Sequence, residues 1–289
     1  FYPEQEVKGI IQISHGMCEY VNNYKDFIEF LTEHGYLVCG NDHLGHGASA
    51  EKDGYGFISE KDGYLHLVDD VHQLTVKVKE KYPKVPYILF GHSMGSFIAR
   101  LYAFLYGKEL DGLILSGTAG KNPLAKMGKL LAKYYIKKDG GKVPSAKLTK
   151  LSFGNYNKKY KEKKTPMDWL SRDEKIPQNY LKDPQRNFLF TSSAFLDLIT
   201  LIDLVNSDGW FKKFPKNLPV YLFAGEMDPV GNYGKGVKQV YYRLIENRVE
   251  QIQMKLYKDA RHEMLFELNK EEVYEDVLNW IENLISNMP

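Results

Sequence analysis

The fold of this 289-residue chain is decided by the stretch Tyr87-Ile88-Leu89-Phe90-Gly91-His92-Ser93-Met94-Gly95. An apolar run leads directly into Gly91-His92-Ser93-Met94-Gly95, and the helix-like run Ser96 to Tyr102 follows. The pattern predicts a strand, a sharp turn with Ser93 at its apex, and a helix. Such a turn exposes the serine hydroxyl, and side chains at either glycine would collide with neighbouring chain. The alternative is a turn serine without a role, so a functional interpretation depends on partners elsewhere.

Short apolar runs alternate with amphipathic stretches along most of the chain. The predicted strands are rich in branched or aromatic residues and bounded by Gly, Asn, Asp or Pro. They are Ile10–Ser14, Tyr36–Cys39, Tyr87–Phe90, Leu113–Ser116, Val220–Ala224 and Ile252–Tyr257. The predicted helices are Tyr24–Glu33, Leu67–Lys81, Ser96–Tyr106, Gly236–Asn247 and Glu271–Ile285. This alternation predicts an α/β fold with a mostly parallel central sheet flanked by helices on both faces.

The alternation lapses over residues 119–188, which we interpret as an inserted helical cap over the carboxyl edge of the sheet. Residues 1–118 and 189–289 then form the core. Residues 121–164 hold fourteen Lys against two acids. These lysines form either a solvated face or a basic surface that contacts anionic membranes or attracts anionic substrates. One helical face of the segment is apolar, with Leu124, Met127, Leu130, Leu131, Tyr134 and Tyr135.

An acid and a histidine follow the last two predicted strands, in the order that a Ser-Asp-His triad on a parallel sheet requires. Asp228 lies in the turn after Val220–Ala224, and His262 lies in the loop after Ile252–Tyr257. Ligands bind beyond the carboxyl ends of such strands, so both should meet Ser93 there. His262 is the predicted base and Asp228 its orienting acid. Glu226, two residues before Asp228, is the rival acid.

An acyl-transfer site also needs donors for the developing oxyanion. One expected donor is the backbone N–H of Met94, directly after the serine. The strand Ile10–Ser14 runs into His15-Gly16-Met17-Cys18-Glu19-Tyr20, so the second expected donor is the backbone N–H of Met17. Gly16 would allow close approach of the backbone, or be a simple turn glycine.

These residues together resemble the α/β-hydrolase superfamily, in particular the monoacylglycerol lipases and bacterial lysophospholipases. The resemblance covers nearly the whole chain. His15–Glu19 matches the oxyanion loop, Gly91–Gly95 the nucleophile elbow, Asn41–Ser49 a structural Asp-x-x-Gly-His-Gly-x-Ser turn, and Asp228 and His262 the acid and base. Residues 119–188 are similar in position to the family's lid, which shapes substrate choice.

Two residues depart from the family pattern. Tyr20 stands where the oxyanion loop usually has His, and Asn23 stands where mammalian monoacylglycerol lipases have Arg. Both substitutions alter the polar groups near the glycerol end of the site. The exact substrate therefore does not carry over from the resemblance.

Composition excludes several other classes. No apolar run is long enough to cross a bilayer, and no secretory signal is visible at the start of the chain. Cys18 and Cys39 make no disulfide framework, which favours a cytoplasmic location. Asp42, His43 and His46 lack the further ligands of a metal site, so we expect no metal. No phosphate-binding glycine motif or nucleic-acid-binding motif is present, so we expect no cofactor and no nucleic-acid partner.

The sequence thus predicts a cofactor-independent serine hydrolase that cleaves carboxylic esters of acyl lipids through an acyl-enzyme intermediate. On the resemblance, the expected substrate is a monoacylglycerol or a lysophospholipid. Alternatives are an aryl or short-chain carboxylesterase, a proline-type aminopeptidase and an acyltransferase. A lipid-binding scaffold without catalysis is the alternative outside enzymes.

Overall fold

The computed structural model describes residues 1–50 and 54–288, and in this part of the chain six strands form one parallel sheet. The strands are β1 (Gly9–Ser14), β2 (Tyr36–Gly40), β3 (Tyr87–His92), β4 (Gly112–Ser116), β5 (Val220–Gly225) and β6 (Ile252–Tyr257). Their order across the sheet is β2-β1-β3-β4-β5-β6, and every neighbouring pair is parallel. The chain reverses its direction of travel between β1 and β3, and a crevice opens at such a switch point.

Ten α-helices accompany the sheet in the described residues. They are α1 (Lys25–Glu33), α2 (Gly63–Lys81), α3 (Met94–Tyr106), α4 (Ala125–Asp139), α5 (Ala146–Phe153), α6 (Lys175–Lys182), α7 (Ser192–Val205), α8 (Asp208–Lys213), α9 (Lys235–Glu246) and α10 (Lys270–Ser286). The predicted strands and helices are therefore confirmed, with ends that differ by at most four residues. The largest difference is α2, which begins at Gly63 rather than at Leu67.

The core lies in two layers, one on each face of the sheet. Because successive strand residues point to opposite faces, Leu89 packs with α2, α3 and α9, whereas its neighbours Ile88 and Phe90 pack with α1 and α10. Strands β1, β3, β4 and β5 are buried along their whole length, which explains their nearly continuous apolar sequences. Strand β6 is the partly exposed edge.

The residues between β4 and β5 hold α4 to α8. Helices α4, α5 and α6 lie within residues 119–188, which we call the cap segment. Helix α7 follows it and packs against both α4 and the core helix α3. Helix α7 lies in the predicted core, yet it packs against the cap segment as well as against α3. The division of the chain at residues 118 and 189 therefore stays a prediction.

Helix α4 does not bury the apolar face that its sequence suggests. Its inward residues are small, with Ala125 and Ala132 buried, and Gly128 lies against Ile199 of α7. Met127, Leu130 and Tyr134 are instead 60%, 70% and 54% exposed. They form an outward apolar stripe, bordered by the exposed lysines Lys126, Lys133, Lys137 and Lys138. Within the described residues, no helix is both long and apolar enough to cross a membrane.

Candidate active site

Ser93 lies at the apex of the nucleophile elbow, Gly91–Gly95, between β3 and α3. Its backbone is in a strained region, with φ 51° and ψ −117°, which turns the side chain away from the sheet. The Ser93 N–H donates to the Ser116 carbonyl of β4 at 2.9 Å. Its carbonyl accepts the Ser96 N–H at 2.9 Å and the Ser96 hydroxyl at 2.6 Å. The elbow is therefore fixed by backbone groups of the core.

The glycines of the elbow permit close packing of backbone on backbone. A Cβ at Gly95 would collide with the Ser14 and His15 carbonyls at the end of β1, and a Cβ at Gly91 would collide with the Gly95 carbonyl. Helix α3 consequently begins directly against the end of β1. This contact brings the start of α3 beside the oxyanion loop, His15–Tyr20, that follows β1.

Asp228, His262 and Ser93 form one hydrogen-bonded row, although 169 residues separate Ser93 from His262. His262 Nε2 lies 2.9 Å from Ser93 Oγ, and His262 Nδ1 lies 2.9 Å from Asp228 Oδ2. Asp228 and His262 are buried, and the Val230 N–H holds the other Asp228 oxygen at 2.8 Å. Glu226 is exposed and takes no part in this row.

Electrostatics favour His262 as the base of this row. Burial alone would lower the pKa of His262. The charge and hydrogen bond of Asp228, together with the charges of Glu263 and Glu19, outweigh burial and raise it. The neighbouring imidazole of His92, with its ring centre 4.9 Å away, has the opposite environment. Burial lowers the pKa of His92 to about 4, so His92 is neutral at pH 7. Its Nδ1 lies 3.1 Å from the Ser116 hydroxyl, which keeps this ring part of the core.

Met17 and Met94 both line the cavity that contains Ser93. In the described residues neither of their backbone N–H groups donates to another protein group, as is usual for the first residues of a helix such as α3. Gly16 holds the oxyanion loop, since its N–H donates to Glu19 Oε2 at 2.8 Å. A Cβ at Gly16 would come 2.6 Å from that oxygen, so this glycine is required by close approach.

A cavity of about 780 Å³ opens beside Ser93. More than half of the lining residues come from the cap segment and α7, and the wall combines polar side chains, such as Lys121, Lys150 and Asn157, with an apolar part. The apolar wall includes Phe97, Phe153, Met167, Trp169, Leu198 and Ile202. Ligand cavities of this size hold molecules as large as a single-chain lipid.

The cap segment holds the histidine loop, residues 258–263, through contacts that the sequence did not reveal. The Glu263 N–H donates to the Leu170 carbonyl at 2.7 Å, and the His262 N–H donates to the Trp169 carbonyl at 3.3 Å. The Trp169 ring centre lies 5.2 Å from that of His262. Arg261 donates to the Ser171 carbonyl at 3.0 Å. No spacing in the sequence predicts that residues 169–171 contact residue 262. The only indication was that Trp169 lies in the segment expected to cover the site.

A second unforeseen group is the buried cluster of Glu19, Arg186 and Glu263. The Nη2 atom of Arg186 lies 2.5 Å from Glu263 Oε1 and 3.4 Å from Glu19 Oε1. Glu19 also accepts the Tyr24 hydroxyl at 2.7 Å. Asn23, at the position of the family's Arg, lies 3.4 Å from Arg186 Nη1. The cap segment thus supplies a positive charge to this part of the site. Sequence reasoning used Glu19 only as part of a loop pattern.

The turn Asn41–Ser49 is held by its own aspartate. Asp42 accepts the Val21 N–H at 2.8 Å and the Ala48 N–H at 2.9 Å. The buried His43 lies 3.0 Å from the Ser14 hydroxyl through its Nε2 atom. Over the residues that the structure describes, His, Cys, Asp and Glu side chains form no group of three or more that could hold a metal ion.

Comparison with known proteins agrees with this architecture. Residues 5–269 match the family model described as "Serine aminopeptidase, S33". A highly thermostable carboxyl esterase from Bacillus coagulans has a TM-score of 0.93 at 33% identity, over 99% of this chain and 93% of that chain. Human monoglyceride lipase is 29% identical over 96% of this chain and 84% of its own length. Monoacylglycerol lipase of Mycolicibacterium smegmatis is 25% identical over 96% of this chain and 90% of its own length.

These matches cover nearly the whole chain and agree with the parallel sheet, so the predicted resemblance to the monoacylglycerol lipase group of α/β-hydrolases is confirmed. Like these relatives, the protein is a carboxylic ester hydrolase. The chain belongs to the serine aminopeptidase S33 family of α/β-hydrolases.

Proposed function

We propose that this chain hydrolyses carboxylic esters of acyl lipids, of the monoacylglycerol or lysophospholipid type, with Ser93, Asp228 and His262 as its catalytic triad. The observation that carries the proposal is the position of His262. Its two ring nitrogens each lie 2.9 Å from a partner, Ser93 Oγ on one side and Asp228 Oδ2 on the other. This is the geometry that general-base activation of a serine requires.

In the first half-reaction, Ser93 Oγ bonds to the carbonyl carbon of the ester while its proton passes to His262 Nε2. The carbonyl oxygen becomes an oxyanion, and we assign the Met17 and Met94 N–H groups as its donors. Asp228 accepts the Nδ1–H of His262, which fixes the tautomer and stabilises the imidazolium. The bond to the alcohol then breaks, and His262 gives its proton to the departing alkoxide. Ser93 is left acylated.

In the second half-reaction, water attacks the acyl-enzyme. His262 takes a proton from the water as the new carbon–oxygen bond forms, and the oxyanion occupies the same two donors. When the bond to Ser93 Oγ breaks, His262 returns the proton to that oxygen. The fatty acid leaves, and the row of hydrogen bonds is restored without any cofactor.

The cavity supports an acyl lipid as substrate. Its volume of about 780 Å³ and its apolar wall suit a long acyl chain. Burial of each methylene contributes about 0.8 kcal/mol, so a long chain gains affinity that a short ester cannot. Human monoglyceride lipase, whose name gives the same substrate class, matches 96% of this chain.

Labelling by a fluorophosphonate probe tests the nucleophile. We expect rapid covalent labelling of Ser93 in the native chain and none in Ser93→Ala. A native chain that binds lipid but resists the probe would instead identify a lipid-binding scaffold.

A hydrolysis panel tests the substrate class. It contains p-nitrophenyl esters of rising chain length, monoacylglycerols, lysophosphatidylcholine and prolyl amides. We expect kcat/KM to rise with acyl length, because the apolar wall is extensive. A preference for short or aryl esters would identify a general carboxylesterase, and a preference for prolyl amides would identify an aminopeptidase.

The outward face of α4 supports contact with anionic membranes. Its exposed stripe of Met127, Leu130 and Tyr134, bordered by lysines, is the pattern of a helix that lies in a lipid interface. We expect the chain to bind anionic vesicles more strongly than neutral ones, with the difference fading as salt is added. Equal binding to both would contradict this contact. The free thiols of Cys18 and Cys39 support a cytoplasmic location.

A further inference from the structure

Two loops of the proposed site face each other across a single buried guanidinium. The oxyanion loop brings Glu19, and the histidine loop brings Glu263, the residue directly after His262. Arg186, at the end of the cap segment, donates from one nitrogen, Nη2, to Oε1 of both carboxyl groups, at 3.4 and 2.5 Å. All three side chains are at least 94% buried. Such a cluster is costly to bury, so a purely structural role would be served as well by apolar residues.

Each carboxyl group is tied to a catalytic element. The second oxygen of Glu19 accepts the Gly16 N–H at 2.8 Å, directly before Met17, whose N–H we assign to the oxyanion hole. Glu263 lines the cavity beside Ser93, and its own N–H is fixed on the Leu170 carbonyl at 2.7 Å. A second tie runs parallel to Arg186, since the Tyr20 hydroxyl donates to Asp183 Oδ2 at 3.0 Å. The cap segment therefore contacts both loops, and Arg186 contacts both of them at once.

We propose that Arg186 is a positioning residue for catalysis, which joins the oxyanion loop to the histidine loop through Glu19 and Glu263 and so sets the distance between the oxyanion donors and the base. The proposal rests on the proposed triad and oxyanion hole. A guanidinium suits this role because Nη2 contacts both carboxyl groups while Nη1 of the same plane donates to Asn23 Oδ1 at 3.4 Å, which fixes its orientation.

The protonation of the cluster follows from its charges. Burial works against the charge of Glu19, but His92, Arg186 and the Tyr24 hydroxyl lower its pKa to about 2. Burial raises the pKa of Glu263 to about 7, with Arg186 opposing this rise and Glu19 adding to it. Glu19 therefore keeps its charge near neutral pH, whereas Glu263 gains or loses its proton there. The groups that face Glu263 are Glu19 and Tyr24, Arg186 and Tyr180 of the cap segment, and His262.

The first test measures kcat and KM with a p-nitrophenyl ester for R186M, E263A and the double variant. We expect each single variant to lower kcat by about tenfold to 10²-fold with little change in KM, because the reacting groups lose their alignment. The double variant should fall no further, since both changes break one connection. Fully additive losses, or a kcat equal to that of the native chain, would overturn the proposal.

Lys129 provides a control within the cap segment. Its Nζ lies 2.5 Å from Asp203 Oδ2 of α7, and neither residue lines the cavity. In the described structure, no hydrogen bond of these two side chains reaches the oxyanion loop or the histidine loop. We expect K129M to keep the native kcat. If K129M lowers kcat as much as R186M does, loosening of the cap explains both, and the specific role of Arg186 is wrong.

The pH profile of kcat/KM gives a readout that a merely structural role would not move. Loss of the guanidinium leaves the Glu19 carboxylate uncompensated, so R186M should raise the pKa of His262 and move the acid limb to higher pH. E263Q keeps the acceptor for Arg186 but removes a group that raises the pKa of His262. It should keep most of kcat and move the limb to lower pH. Acid limbs that stay in place in R186M and E263Q, or that move in the same direction in the two variants, would contradict the proposal.

One further variant and one labelling control keep the test decisive. If R186M fails to fold, R186K retains the charge and should keep the acid limb of the native chain. Its kcat should still fall, because an ammonium group lacks the second nitrogen that fixes the plane of the guanidinium on Asn23. A native kcat in R186K would overturn the proposal. Labelling of Ser93 in the native chain separates the two hypotheses. If Ser93 is unlabelled, the proposed function fails, whereas labelled but unaffected variants leave that function intact and remove only the role of Arg186.

Discussion

The nucleophile elbow and the histidine loop form the two sides of the proposed site, and they are held in different ways. The elbow is fixed by the core alone, through the Ser116 carbonyl of β4 and the close contact of Gly95 with the end of β1. The histidine loop is fixed on one side by Asp228 of the core and on the other by Trp169, Leu170 and Arg186 of the cap segment. The elbow side of the proposed site thus depends on the core, and the histidine side depends on both the core and the cap segment.

Because of this difference, we expect the exposure of Ser93 to depend on the core and its activation by His262 to depend also on the cap segment. The core should present Ser93 in the same position whatever covers it. The base, in contrast, should lose its alignment when the cap segment shifts. Changes to the core are therefore expected to alter folding and activity together, and changes to the cap contacts to alter activity alone.

The largest effect is expected for His262→Ala, which removes the base and leaves both sides of the site folded. Loss of the base in a serine triad lowers kcat by roughly 10⁶-fold. We expect that loss in steady-state hydrolysis of a p-nitrophenyl ester, with an unchanged unfolding temperature. His66→Ala, at an exposed position on α2, is the matched control and should keep full activity. Substantial residual activity in His262→Ala would mean that another group is the base.

Asp228→Asn should have the next largest effect, because it keeps the base His262 and weakens only the hydrogen bond by which the core holds it. We expect kcat to fall by about 10⁴-fold. Since Asp228 raises the pKa of His262, the native acid limb should lie above the ordinary value for histidine, with activity gained as pH rises through it. Residual activity of Asp228→Asn, measured across pH, should show that limb at lower pH. A limb that stays in place would contradict the assigned partner.

Gly95→Ala tests whether the elbow depends on backbone contact with the core. A Cβ there would collide with the Ser14 carbonyl, so we expect a loss of about 1–3 kcal/mol in the free energy of unfolding by urea, together with a loss of activity. Gly209→Ala is the control, because in the described structure a Cβ at Gly209 meets no atom closer than 3.9 Å. Native stability in Gly95→Ala would show that β1 and α3 can move apart.

The smallest of these effects is expected for Trp169→Ala, which alters the cap side alone. We expect kcat/KM to fall by about tenfold to 10²-fold, because the His262 ring loses its neighbour. Trp169→Phe should recover much of this loss by keeping an aromatic ring in place. Trp280→Phe, on α10 at the other face of the sheet, should leave activity unchanged. A loss of stability rather than activity in Trp169→Ala would remove the distinction between the two sides.

The geometry on the core side of the proposed site could be predicted from the sequence, because strand ends in a parallel sheet lie at one edge. Once Ser93, Asp228 and His262 were each assigned to such an end, their convergence followed. The same reasoning selected Asp228 over Glu226, and the structure places only Asp228 beside His262.

The cap contacts could not be predicted in this way. Arg186 and Trp169 lie in a segment with short helices and irregular connections. There, neither the helical period of 3.6 residues nor the strand period of 2 predicts the position of a side chain. The apolar pattern of α4 predicted the helix but not which face would be buried. Small residues at Ala125 and Ala132 let α7 approach on that side, and the larger side chains were left outside. The early start of α2 at Gly63 was not predicted either. Gly63 lies against Asp197 of α7, since a Cβ at Gly63 would come 2.5 Å from Asp197 Oδ2, and the two residues are far apart in the sequence.

The order of residues along the chain has a consequence for engineering. Ser93 precedes the insertion, and Asp228 and His262 follow it, so residues 119–188 can in principle be exchanged as a cassette for the corresponding segment of a relative. Such a chimera would inherit the donor's acyl-chain selectivity. It would turn over its new substrates only where the transplanted segment reproduces the anchor points at 169, 170 and 186. These three positions should therefore be fixed first when libraries of chimeras are built.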